Sequence, residues 1–149
     1  VRAQKIGIFM PLLLEEIVPG IVAILEIRPL LDNKEIQRSP DDIPFRAGPF
    51  LCIQVVEDQS TWLNITTKKD PRGLRLELKP EWLLEGSDVW RSASQYLHDA
   101  RKTFVGPNTA FVAAGVNEIP HRPHLRPRVS QEALAAAISQ IKKYGANAL

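Results

Sequence analysis

The chain has 149 residues, 44% of them apolar, and a formal net charge of +2. That is enough for one core of ordinary size and calls for no second domain, while so small a charge neither demands nor forbids an anionic partner, since nucleic-acid footprints are local patches. A single cysteine excludes an internal disulfide and a cysteine-based zinc cage, which fits a reducing cytoplasm. At the amino end, "VRAQK" and "IGIFMPLLL" imitate the charged and hydrophobic parts of a secretory signal. Glu15 and Glu16 follow at once, however, and no small-residue cleavage pattern appears. The apolar stretch from Ile6 to Leu14 also falls well short of the roughly 20 residues of a bilayer span. Residues 1–18 therefore read as an apolar segment of the fold, with no membrane role.

A Pro19-Gly20 turn then introduces Ile21, Val22, Ala23, Ile24 and Leu25, a β-branched apolar run of strand length. Residues 32–49 are polar and carry Pro40, Pro44 and Pro49, which predicts a long surface loop. Phe50 to Val56 and Thr61 to Thr67 are two strands separated by "EDQS", the pattern of an antiparallel hairpin. Cys52 sits in the middle of the first and reads as a small core hydrophobe, because a nucleophile needs a nearby base and some exposure. The alternation Leu74, Arg75, Leu76, Glu77, Leu78, Lys79 has the period of a half-buried strand.

"PEWLLEG" looks like one helical turn, after which Ser87 or Asp88 caps a central helix through "VWRSASQYLHDARK", with Val89, Trp90, Ala93, Leu97 and Ala100 on one face. Thr103 to Val105 and Ala110 to Ala114 read as short strands around "GPN". Residues 117–129 form a Pro-rich basic connector holding His121, Arg122, His124, Arg126 and Arg128. The clearest helix spans 130–144, with Ser130 as N-cap, Val129 and Leu134 as a hydrophobic staple, and Leu134, Ile138 and Ile141 on one stripe. The expected fold is mainly β with helices: a small barrel or strongly bent antiparallel sheet of five to six strands over residues 19–116, with an inserted central helix and a C-terminal helix, all in one domain.

Three pieces in this order, "PGIVAIL", "GPFLCIQV" and "LNITTKK", carry a resemblance to the MazF/PemK toxins over residues 19–79. They stand for that family's opening Gly-Asp-x-Val strand, its Arg-Pro-x-Leu-Val strand and its Pro-Ile-Thr-Ser strand end. The resemblance implies an SH3-like barrel, a homodimer, an acidic antitoxin peptide as partner, and cleavage of single-stranded RNA without a metal or other cofactor. In that family the 2′-hydroxyl attacks its own phosphate, helped by an arginine before the conserved proline and a threonine at the third strand's end. By position Thr66 takes the threonine role. Gly48 occupies the arginine position before Pro49, so Arg46, two residues earlier, is the nearest guanidinium. Thr67, Lys68, Lys69 and Arg72 would then hold phosphates.

Each of these residues has an ordinary explanation as well. Threonine suits any strand end, and Lys68, Lys69, Arg72 and Arg75 also describe a solvated hairpin. The connector is either a basic arm along RNA or a stiff linker to the last helix. His121 and His124 have no acidic or cysteine ligand beside them for a metal. His98 and Asp99, adjacent on a helix, would face different ways, and Trp62, Trp82 and Trp90 suit packing as well as base stacking. The rival function is a non-catalytic SH3-like barrel whose long loop and groove bind a peptide or protein partner.

Overall fold

The structure is a computed structural model that describes residues 11–39, 47–70, 75–116 and 126–144. Gly20, at φ +100, completes the turn into β1 (Val22–Leu25). α1 (Ile27–Asp32) and β2 (Gln37–Ser39) follow. Next come β3 (Gly48–Val56) and β4 (Gln59–Thr66), the expected hairpin, turning through Glu57 and Asp58 with Glu57 at φ 54. β5 (Glu77–Leu78), a 3-10 turn at Pro80–Trp82 and β6 (Leu83–Leu84) lead to α2 (Asp88–Ser92). The chain continues through β7 (Gln95–Leu97), β8 (Thr103–Pro107) and α3 (Asn108–Ala114), and the last described elements are β9 (Arg128–Val129) and α4 (Gln131–Tyr144).

All strand pairing is antiparallel. A 7-stranded sheet runs β1-β3-β4-β7-β5, with β8 also on β4 and β2 on β8, and β6 pairs with β9. The fold is thus mainly β with helices, as expected. Among the described residues the sheet is not closed into a barrel.

Alternation along β3 explains the layering. Leu51 and Ile53 join a core with Leu63, Ile65 and the α4 residues Ala133, Leu134, Ala137 and Ile141. Phe50 and Cys52 join Trp62, Phe104, Leu30 and the α3 residues Ala110, Phe111 and Ala114 on the other face. A strand covered on both faces reads as an unbroken apolar run, which is why β3 showed no polar alternation. Its register slips between Cys52 and Gln54, a β-bulge. On α4, Ser130 Oγ accepts from the Ala133 N–H at 3.3 Å, the expected N-cap.

Four expectations are corrected. α1 and β2 stand within or beside what read as a strand end and a long loop; Pro29 is tolerated in α1 because the first turn's N–H groups have no intrahelical acceptor. The central helix keeps its Ser87 cap, whose hydroxyl accepts from the Trp90 N–H at 3.1 Å, but ends at Ser92. Residues Gln95–Leu97 then pair with the ends of β4 and β5, so sheet hydrogen bonds win over helical periodicity. Ala110 to Ala114 belong to α3, not to a strand: Ala110, Phe111 and Ala114 recur at helical spacing and are buried together. Of Leu74–Lys79, only Glu77–Leu78 is strand among the described residues.

β1 lies at the border of the sheet, and its outer side is hydrogen-bonded by later chain. Val22 N–H donates to the Pro127 carbonyl, Val116 N–H to the Ile24 carbonyl and Glu26 N–H to the Ala114 carbonyl, each at 2.9 Å. Gly86 makes another close approach, at φ +74, where a Cβ would lie 2.9 Å from Pro127 Cγ and 3.0 Å from Trp90 Cδ1. Gly86→Ala is expected to lower stability by about 1–3 kcal/mol through strain and overpacking. Urea unfolding with an unchanged m-value measures it, and a neutral result would contradict this packing. Among the described residues no helix is long and apolar enough to cross a membrane.

Candidate functional site

Apolar residues give way to hydroxyls and lysines at the end of β4, and four segments meet there. The β3–β4 register ends at Phe50↔Asn64, two residues short of Thr66 on β4 and of Gly48 on β3. On its other side β4 is bordered by β8 as far as Leu63↔Thr103 and by β7 from Ile65↔Leu97 to Thr66↔Tyr96. Residues 98–102 therefore loop out between the two borders, level with Asn64.

Asn64 organises this end. It is 3% exposed, its side-chain Nδ2 donates to the Pro49 carbonyl at 3.1 Å, and its backbone carbonyl accepts from the His98 N–H at 2.8 Å. Within the 98–102 turn, Asp99 Oδ1 accepts from the Arg101 N–H at 2.9 Å, and the Asp99 carbonyl accepts from the Lys102 N–H at 3.0 Å. The Arg101 guanidinium closes on the same carboxylate, with Nη2 to Oδ2 at 2.9 Å. Burial alone would raise the Asp99 carboxyl, but the hydrogen bonds and charge of Arg101 outweigh it and hold the group below the usual carboxylate range. His98 and Asp99 thus lie on a turn and not on the expected helix.

Thr66 is half-buried, and its Oγ1 accepts from the Lys68 N–H at 3.2 Å. A hydroxyl that accepts in this way keeps its own proton for donation, in a direction limited by the turn. Thr67, Lys68 and Lys69 are exposed beside it. Arg75 is half-buried and donates twice to backbone carbonyls: Nη1 to Lys68 O at 2.8 Å and Nε to His98 O at 3.0 Å. The arrangement can present a hydroxyl donor and ammonium groups to an anion at one sheet end.

Of the sequence candidates, Thr66, Thr67, Lys68 and Lys69 follow one another at this strand end. Arg46 and Arg72 lie outside the described residues, as do His121, Arg122 and His124. The described part of the basic connector serves the fold instead: Arg126 Nε meets Glu16 Oε2 at 3.1 Å, and Arg128 Nη2 meets Glu85 Oε1 at 2.9 Å. Trp62 and Trp90 are buried and cannot stack on bases; half-buried Trp82 lies under the Lys79 ammonium, 5.2 Å from the ring centroid. Burial pushes the Cys52 thiol up to about 12, so it stays protonated in the core. Among the described residues no group of three or more His, Cys, Asp or Glu is placed to hold a metal ion.

Two features had no signal in the sequence. Lys102 is 1% exposed, its Nζ 5.8 Å from the Phe104 ring centroid, although in "HDARK" it resembles any solvated lysine. Arg75 looked like one more member of a basic cluster, and its backbone acceptors are 7 and 23 residues away in the chain. Comparison with protein-family models, curated proteins and solved structures gave no match to this chain.

Proposed function

We propose that the protein is a metal-independent endoribonuclease of the MazF/PemK type, acting on single-stranded RNA in the cytoplasm. The observation that supports this most is Thr66: a half-buried hydroxyl at the strand end, fixed by the Lys68 N–H, with exposed Lys68 and Lys69 next to it. In the proposed reaction the ribose 2′-hydroxyl attacks the adjacent phosphorus, a 2′,3′-cyclic phosphate forms, and the 5′-oxygen leaves as a hydroxyl. The 2′-proton goes to a base or to water, and a proton is returned to the leaving oxygen. Thr66 donates a hydrogen bond at the reacting phosphate, Arg46 stabilises its developing charge, and Thr67, Lys68, Lys69 and Arg72 hold neighbouring phosphates. By the same resemblance the protein works as a homodimer and is neutralised by a disordered acidic peptide.

One observation favours the second reading, a non-catalytic module that binds a peptide or protein: Gly48 stands where the family has its arginine. A single-stranded RNA assay in excess EDTA separates the two. The protein is expected to produce new RNA ends, mapped by primer extension, and Thr66→Ala to cut at least about a hundredfold more slowly. Absence of new ends with the unaltered protein would overturn the nuclease reading, and wild-type cutting by Thr66→Ala would overturn the role given to Thr66.

A further inference from the structure

We infer that Arg75 is a positioning residue: it clamps the segment after β4 to the turn after β7 and so sets the direction of the Thr66 hydroxyl. For its catalytic consequence this rests on the nuclease reading; for the clamp itself it does not. The Lys68 peptide groups are held from both sides, the N–H by Thr66 Oγ1 and the carbonyl by Arg75 Nη1. The other arm of the guanidinium holds the His98 carbonyl, and His98 is tied through its N–H to Asn64, whose side chain holds Pro49. One continuous set of hydrogen bonds therefore joins the start of β3, the end of β4, the turn at 98–102 and the segment bearing Lys68. Arg75 is its link between the last two.

A guanidinium suits this task because its planar fork offers donors in fixed, divergent directions, whereas an ammonium is a point donor on a flexible stem. Arg75 is also only half-exposed, with two donors already committed to carbonyls. That commitment sets it apart from exposed Lys68 and Lys69, whose ammonium groups are the proposed phosphate contacts.

The test compares Arg75→Lys and Arg75→Gln with Lys68→Gln and Lys69→Gln in the full chain. In both Arg75 variants, Lys68 amide hydrogen exchange, read by NMR, is expected to quicken about tenfold or more while the melting temperature leaves the protein folded at the assay temperature. On single-stranded RNA, Arg75→Lys should lose about tenfold in kcat at unchanged KM. The slope of log affinity against log salt should stay at the wild-type value in both Arg75 variants, and flatten by about 0.7 in each lysine variant, as expected for one lost single-strand phosphate contact. Unchanged exchange in Arg75→Lys would overturn the clamp. A slope flattened in Arg75→Gln as in Lys68→Gln would make Arg75 a phosphate ligand. If the unaltered protein cuts no RNA, the nuclease reading falls, and the exchange measurement still decides the clamp.

Discussion

Trp62→Ala is expected to destabilise the protein by about 3–5 kcal/mol, a large part of the roughly 5–15 kcal/mol that holds a typical native fold. Trp62 is fully buried at the centre of the face that carries Phe50, Phe104 and the helix α3. Its ring lies 5.4 Å, centroid to centroid, from that of Phe111, which is itself fully buried. Truncation leaves a cavity between sheet and helix, and β-sheet neighbours collapse into such a space only in part. A polar loss adds to it: the indole Nε1 donates to Ser60 Oγ at 2.8 Å, and Ser60 is 2% exposed. Trp62→Phe keeps most of the volume and loses mainly this bond, so about 1–2 kcal/mol is expected for it. Equilibrium unfolding in urea measures both; a cost below about 1 kcal/mol for Trp62→Ala would mean that this face is not packed around the indole.

Glu16→Ala should cost about 3 kcal/mol. The Arg126 side chain is 7% exposed and that of Glu16 26%, and Nε reaches both carboxylate oxygens at 3.1 and 3.2 Å. Glu16 Oε1 also accepts from the Leu13 N–H at 2.9 Å, so the same carboxylate caps the 3-10 turn Leu14–Glu16 and faces a buried guanidinium from 110 residues away. Breaking a buried pair from one side is costly because the remaining charge was desolvated on folding. Glu16→Gln keeps an acceptor for the cap and loses the charge, so its cost should be smaller, about 1–2 kcal/mol. Burial also predicts the salt response: the loss in Glu16→Ala should persist in 1 M salt, where an exposed pair would be screened out. If high salt erases the difference between wild type and Glu16→Ala, the pair behaves as an exposed one and the larger figure is wrong.

What was legible in the sequence was whatever depended on neighbours in the chain. β3 and β4, joined by a short polar turn, and α4, with Ser130 one residue before it, declared themselves through strand composition, helical period and cap chemistry. Where the chain's own preference was short or divided, distant contacts decided. Phe111, Val112 and Ala113 suit either element, and burial of Ala110, Phe111 and Ala114 against the sheet selects a helix. The helical face proposed from Val89 to Ala100 failed after Ser92 because Tyr96 and Leu97 found sheet partners on β4. At the site, Thr66 and Lys68 were legible as a strand end with lysines. The role of Arg75 was not, since nothing in its neighbourhood announces that it will seek carbonyls on two other segments.

Bonds from Val116, Pro127 and Ala114 along the outer side of β1 also bear on how copies of the protein meet. An open row of amides and carbonyls is a template for adding a foreign strand, and here the molecule's own later segments already occupy that row. Self-association that seeks a continuous intermolecular sheet finds this flank closed, so any stable contact made there must rely on side-chain fit.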